Sequence, residues 1–432
     1  MLVPAVCPIL RKFCLAPFLF LLLLASCQTE PARKAEKVSW LQEQPIPIRS
    51  INPEDTLFSD LIFLKEELKG VELIGLGEQS HGDGSAFLAK ARLIKFLHQE
   101  MGFSVLAFES GMLDCALAVK ALEHGITIDS AFRMGLFKIW SNSQEVAAVR
   151  QYAGLQLGEE SIPFVGFDSQ LSGNLPRAVR VDSIYQVLRR YAPGFDSTYF
   201  STVWKALQPD SPRAFRSWKR DSVFQQEFFI QLDSLARLAG QLQPSTLEDK
   251  LFLKGVVSLK PYYYFLLKMD LNDPDNTVLN IRDSVMAEHV AWLNEELFPG
   301  RKIILWAANT HLGYERGKLK YPDKMYPMGS YLKERYGEKY YLLSFTTFTG
   351  ENSSLQYGIR KVPDSSNKTL EYLWAETGMP FAYLRKASLD AIPFEHPFQA
   401  RLYGYANWYA DWDKMTDGIF FIREMKPSHI EE

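Results

Sequence analysis

Cysteine is scarce: the 432-residue chain has four, too few for a fold held together by cross-links. Cys7 and Cys14 would leave with an N-terminal leader, and with Cys27 lipidated Cys115 would have no partner for an intramolecular disulfide, so stability must come from a packed core. Charge of one sign is also lacking. The 48 Lys and Arg residues nearly balance 51 Asp and Glu, for a net charge of −3, and this gives no electrostatic footprint for nucleic acid. The nucleophile elbow Gly-x-Ser-x-Gly is missing, which argues against a serine hydrolase of the α/β-hydrolase type. There is no internal repeat. What is present is a globular composition, 47% hydrophobic and 13% aromatic, which excludes a largely disordered protein.

The first residues read as an export signal. Arg11 and Lys12 precede an apolar run from Phe13 to Leu24, too short for a membrane span. Leu24-Ala25-Ser26-Cys27 resembles a bacterial lipobox. That resemblance implies a signal peptide over residues 1–26 and lipidation of Cys27; the plainer alternatives are cleavage by an ordinary signal peptidase or an uncleaved anchor. Gln28 follows in place of an Asp retention signal, so the expected address is the cell envelope, lipid-anchored, at the outer membrane. Residues 27–55 carry Pro31, Pro45, Pro47 and Pro53 and read as an extended tether. Cys115 lies in an apolar helical pattern and reads as core.

From residue 56 to 432 the pattern is that of one α/β domain. Short apolar runs at Val71–Leu76, Ser104–Phe108, Ile162–Phe167, Lys302–Trp306, Tyr340–Phe345 and Gly418–Arg423 read as buried strands. Helical spacing separates them, as at Ala86–Leu97, Leu113–Leu122 and Met328–Tyr336. The expected fold is a three-layer α/β structure with a mainly parallel sheet. Strand signals stop over about 176–275. There Tyr185–Tyr191, Phe224–Leu238 and Glu248–Lys268 read as helices of an insertion, with aromatics that serve the core or cover a cleft.

Four predicted strands end in polar residues: Glu78 and His81 after the first, Glu109 after the second, Asp168 after the third, and Asn309-Thr310-His311 after the fourth. Parallel strands put their C-terminal ends on one edge, where open α/β sheets bind ligands. Residues far apart in sequence can therefore meet in one cleft. A neutral imidazole can take a proton from water, and a carboxylate beside it can fix its tautomer and stabilise the imidazolium. Glu78 and Glu109 are candidates for that carboxylate. Arg282 and His311 are candidates for stabilising an oxyanion. The same His and carboxylate set could instead hold zinc or manganese, although the His-Glu-x-x-His helix pattern is missing. Each residue also has a plainer reading: a loop histidine, a helix cap at Glu109, an Asx-turn at Asp168.

Several segments, in their order, resemble the erythromycin esterase-like family, which includes proteins labelled as succinoglycan biosynthesis proteins. They are Leu73-Ile74-Gly75-Leu76-Gly77-Glu78-Gln79-Ser80-His81-Gly82, Lys90-Ala91-Arg92-Leu93, Gly102 to Glu109, Gly166-Phe167-Asp168, Arg282 to Glu288, Trp306 to His311, Met328-Gly329 and Tyr336-Gly337. The resemblance implies an α/β core with a helical insertion and an ester or lactone hydrolase without a serine nucleophile or cofactor. It implies His81 as general base, with Glu78, Glu109, Arg282, His311 and Arg92 orienting water and ester or supporting the histidine. Asp168 joins Arg92 as a candidate for substrate binding. The expected partners are a small ester or lactone and, through Cys27, a membrane. Esterases of the family often carry His-Asn-x-His where this chain has Ala308-Asn309-Thr310-His311. The missing first histidine bears on macrolide cleavage more than on hydrolysis. A metal-dependent hydrolase, or a surface-tethered binding protein on an inactive scaffold, are the other classes this sequence admits.

Overall fold

The computed structural model describes residues 30–122, 124–155, 162–207, 218–269, 278–314 and 326–431. The expected signal peptide and Cys27 lie outside them. The strands are β1 (Ile46–Pro47), β2 (Leu73–Leu76), β3 (Phe103–Gly111), β4 (Phe164–Asp168), β5 (Lys302–Trp306), β6 (Tyr340–Ser354), β7 (Gly358–Lys361), β8 (Phe381–Leu384), β9 (Phe398–Ala400), β10 (Trp408–Ala410) and β11 (Gly418–Met425). Among the described residues they form a nine-stranded sheet in the order β1-β8-β11-β6-β2-β5-β3-β4, with β7 paired to β6, and a separate β9–β10 ribbon. The run from β11 to β4 is parallel throughout. The sheet turns antiparallel only at β8 and β1 and in the β6–β7 hairpin. The mainly parallel α/β fold expected from the sequence is what the chain adopts.

Side chains alternate across a strand, and the central strands are apolar on both faces because both are covered. Val105, Ala107, Ile303 and Leu305 face a core shared with the helical insertion. Leu106, Phe108, Ile304 and Trp306 face the other way, into a core with Phe87, Ile94 and Leu97 of the Gly84–Met101 helix. The insertion is helical where described: Arg177–Tyr191, Ser201–Leu207, Ser222–Gln241, Leu247–Val257 and Leu259–Lys268. Asp221 and Thr246 cap two of these helices by accepting the Phe224 and Asp249 backbone N–H groups, as N-cap residues do. Its Phe228, Phe252 and Tyr263 are buried in the same cluster as Val105 and Leu305, so these aromatics serve the core. Cys115 is 1% exposed and its thiol faces the Gly135 carbonyl.

The segment expected as an extended tether is folded over residues 30–55. Glu30–Glu43 is a helix, and β1 adds to the sheet edge beside β8. Leu41 is buried among Leu384, Trp374 and Phe421. Its polar composition concealed the helix: Leu41 is the helix's one fully buried residue, too little apolar surface for a periodic signal. Among the described residues no helix is long and apolar enough to cross a membrane.

Candidate active site

β2 ends at Leu76 and enters a loop squeezed between its neighbours. A Cβ on Gly77 would lie 1.8 Å from Asn309 Oδ1, and one on Gly82 would lie 1.8 Å from the Ser353 carbonyl oxygen. Both glycines are therefore demanded by close approach. Between them sits Glu78, with no exposed surface. Its Oε1 accepts from His81 Nδ1 at 2.8 Å and from Trp140 Nε1 at 3.2 Å, and its Oε2 accepts from Lys90 Nζ at 2.6 Å. The carboxylate thus fixes the ring with its proton on Nδ1 and leaves the Nε2 lone pair for a substrate proton. The His81 side chain is 35% exposed, while Glu78 and Lys90 are fully buried. The ring is what this group presents to solvent. Trp140 packs edge-on against it at 5.1 Å between centroids, and Phe137 at 5.8 Å.

A second group lies on the neighbouring strand ends. Arg282, on the Val278–Trp292 helix, donates through Nη2 to Glu109 Oε1 at 2.8 Å and to Asp168 Oδ2 at 2.7 Å. Its Nε faces both Asp168 oxygens at 3.2 Å, and its Nη1 lies 2.9 Å from His311 Nε2. His311 Nδ1 meets Asp283 Oδ1 at 2.7 Å. Glu109 Oε2 accepts the Ala308 backbone N–H at 3.0 Å. Asp168 also accepts the Gln170 N–H, the Asx-turn of its plainer reading. Of the guanidinium's five N–H groups, these contacts leave one, on Nη1, without a partner among the described residues.

The two groups act on each other. Burial works against a charged His81, but the Glu78 hydrogen bond and the charges of Glu109 and Glu78 outweigh it and hold its pKa above the ordinary value. Burial likewise opposes the His311 imidazolium, and Asp283 and Glu109 override it upward. Glu109 resists the upward push of burial; His311, His81 and Arg282 bring its carboxyl down to about 2. Burial pulls the Lys90 ammonium below its usual range, against Glu78. The low dielectric that raises these interactions also makes each member dependent on its partner.

Glu78, His81, Glu109, Asp168, Arg282 and His311 therefore gather at the C-terminal edge of the sheet. Arg92 does not join them. Its guanidinium is 1% exposed and grips Asp60 through two bonds of 2.7 and 2.9 Å, together with the Ser50, Asp55 and Leu57 carbonyls. Arg92 fastens residues 50–60 to the domain; substrate binding is the wrong role for it. The sequence reading missed Lys90, Asp283 and Trp140. Lys90 lies in a segment already singled out, but nothing local distinguishes a buried helical lysine from a solvated one. Among the described residues, no group of three or more His, Cys, Asp or Glu side chains is placed to hold a metal ion. Glu109 and Asp168 converge on a guanidinium instead.

The fold and this edge define a three-layer α/β protein with an acid–base cluster at the C-terminal ends of its parallel strands. The chain belongs to the erythromycin esterase family, whose sequence profile matches residues 98–425. It is 26% identical to the putative hydrolase YbfO of Bacillus subtilis (strain 168) over 474 aligned positions, covering 96% of this chain and 97% of that one. It is 23% identical to erythromycin esterase type II of Escherichia coli, covering 90% and 98%. A solved succinoglycan biosynthesis protein superposes with a TM-score of 0.73 at 22% identity, over 94% of this chain and 100% of that one. A variant of the erythromycin esterase EreC in an open conformation gives 0.64 at 18%, over 88% and 97%. The structural likenesses show the shared fold, and the family membership indicates a hydrolase.

Proposed function

We propose that this chain hydrolyses an ester or lactone by direct attack of water, with His81 as the general base. The observation that carries the reading is the Glu78–His81 pair: a buried, doubly anchored carboxylate orienting a solvent-facing imidazole. His81 Nε2 takes a proton as the water oxygen bonds to the carbonyl carbon, and Glu78 stabilises the imidazolium. The remaining Arg282 Nη1–H is suited to the carbonyl oxygen as negative charge develops. Collapse breaks the C–O bond; the imidazolium returns its proton to the departing alkoxide. The products are a carboxylic acid, which loses its proton to solvent, and an alcohol, or one hydroxy acid from a lactone. Ala308, standing where esterases of the family often carry histidine, makes a non-macrolide ester the better expectation. We propose further that the protein is exported and anchored through a lipid on Cys27.

The test is a mass-spectrometric screen of macrolides and simpler esters, with His81→Ala alongside, for ring-opened lactones heavier by one water and for the acid and alcohol released from acyclic esters. Loss of general-base help predicts a fall on the order of 10²–10⁴ in kcat. Turnover that survives His81→Ala, or that needs a metal restored after chelation, would reject this mechanism. A ligand retained unchanged would point to a binding protein.

A further inference from the structure

Both histidine loops rest on one short turn that belongs to none of the motifs above. It runs from Arg401 to Tyr405, between β9 and β10. The Arg401 carbonyl accepts Gln79 Nε2 at 2.5 Å, and the Leu402 carbonyl accepts Asn309 Nδ2 at 2.7 Å. The Tyr405 hydroxyl donates to Asp83 Oδ1, and Asp83 Oδ2 accepts the Ser80 N–H at 3.0 Å. Gln79, Ser80 and Asp83 bracket His81, while Asn309 lies just ahead of His311. A Cβ on Gly313, just past His311, would lie 1.9 Å from the Tyr403 hydroxyl. One turn of chain thus touches both loops.

The turn is itself rigidly held. Arg401 is fully buried, and its guanidinium donates to the carbonyls of Tyr405 at 3.0 Å, Phe348 at 3.0 Å and Pro363 at 2.7 Å. Its backbone N–H donates to Glu371. Tyr405 has φ +62°, a left-handed conformation with no other non-glycine example among the described residues. A tyrosine is unfavourable there, and such conformations persist where the surroundings enforce them. Here the residue is buried, 7% exposed, and its hydroxyl reaches the aspartate that closes the His81 loop.

We propose that the Arg401–Tyr405 turn sets the spacing of His81 and His311, with Tyr405 as its positioning residue. The inference rests on the esterase reading for its catalytic consequence, but not for its structural one. Burial first, and the nearby charge of Glu78, push the Asp83 carboxyl up to about 7, and the Tyr405 hydroxyl opposes that push. Removing the hydroxyl therefore weakens the charged form of Asp83 and with it the hold on the Ser80 N–H.

The experiment compares the full chain with Tyr405→Phe, with Asp83→Asn, and with the exposed-site control Tyr409→Phe. One arm measures kcat and KM on p-nitrophenyl butyrate; the other follows histidine ring NMR resonances across pH. Tyr405→Phe is expected to lower kcat about tenfold with KM within about twofold, as a misplaced base does. The resonances of His81 and His311 should both move while that of exposed His124 stays. Unmoved His81 and His311 resonances overturn the proposal, as does a loss of kcat that merely tracks the loss of folded protein. Should Tyr405→Phe not fold, Asp83→Asn replaces it, since asparagine keeps the volume but can accept only one of the two donors. A wild type inactive on every ester would sink the esterase reading, and the resonances would still decide the positioning.

Discussion

Arg282 Nη1 lies 2.9 Å from His311 Nε2, and a guanidinium can only donate. His311 must therefore carry its proton on Nδ1, where Asp283 Oδ1 accepts it at 2.7 Å. When the ring takes up a second proton, Nε2 becomes a donor and faces Arg282 as a like charge. Its alternative is Glu109 Oε1, 3.3 Å away. Arg282 is thus a fork that ties three strand ends together through Glu109, Asp168 and His311. Lysine keeps the charge but lacks the planar fork whose separate nitrogens reach Glu109, Asp168 and His311. Arg282→Lys is expected to lower kcat/KM by at least about 10²-fold. Steady-state kinetics beside a melting curve checks it. Near-wild-type turnover would show that the fork is structural only.

His81 can act as a base only when neutral, and its pKa lies above the ordinary histidine value. Activity should therefore rise with pH through a midpoint above about 6.5. Glu109, held down to about 2, is charged over that whole range and is one cause of the elevation. Glu109→Gln removes this charge without touching the Glu78–His81 bond. The His81 midpoint should move down, towards the value that burial favours, when read from its ring resonance. A midpoint that stays or moves up would mean that Glu109 is not acting on His81.

The fold was legible where strands are buried on both faces, because runs such as Val105–Phe108 and Ile303–Trp306 leave little choice. The strand ends then brought Glu78, Glu109, Asp168 and His311 to one edge without knowledge of any contact. What escaped was short or polar. β1 is only Ile46–Pro47, and the Glu30–Glu43 helix has no apolar stripe. Lys90 and Arg92, two positions apart on one helix, are both buried, yet they point to different places. Lys90 reaches Glu78 and Arg92 reaches Asp60, and side-chain type does not say which.

That difference is testable at Arg92. Its carboxylate partner Asp60 and three carbonyls are all in residues 50–60. Arg92→Ala leaves Asp60 with Arg49 as its remaining partner and frees that segment, at an expected cost of up to about 3–5 kcal/mol for breaking a buried pair. Chemical denaturation should record this loss, whereas kcat, measured where the variant is still folded, should stay within about twofold of wild type. A selective fall in kcat with stability intact would return Arg92 to the active site.

Lys90 should differ in its effect on turnover. Its ammonium is fully buried, 2.6 Å from Glu78 Oε2 and 4.3 Å above the Trp306 ring. Lys90→Met leaves Glu78 as an uncompensated buried charge. The carboxylate can then protonate or the loop can deform, and either response removes the acceptor that orients His81. Stability should fall by about 3–5 kcal/mol, and kcat by about 10² or more. Adding Glu78→Gln removes the stranded charge, so the double variant should regain much of the stability, because replacing both members of a buried pair is tolerated better than replacing one. Its turnover should not return, since a neutral amide cannot stabilise the His81 imidazolium. Lys90→Met alone with wild-type kcat would refute the chain from lysine through carboxylate to base. Recovery of both stability and turnover in the double variant would show that Glu78 matters for folding only.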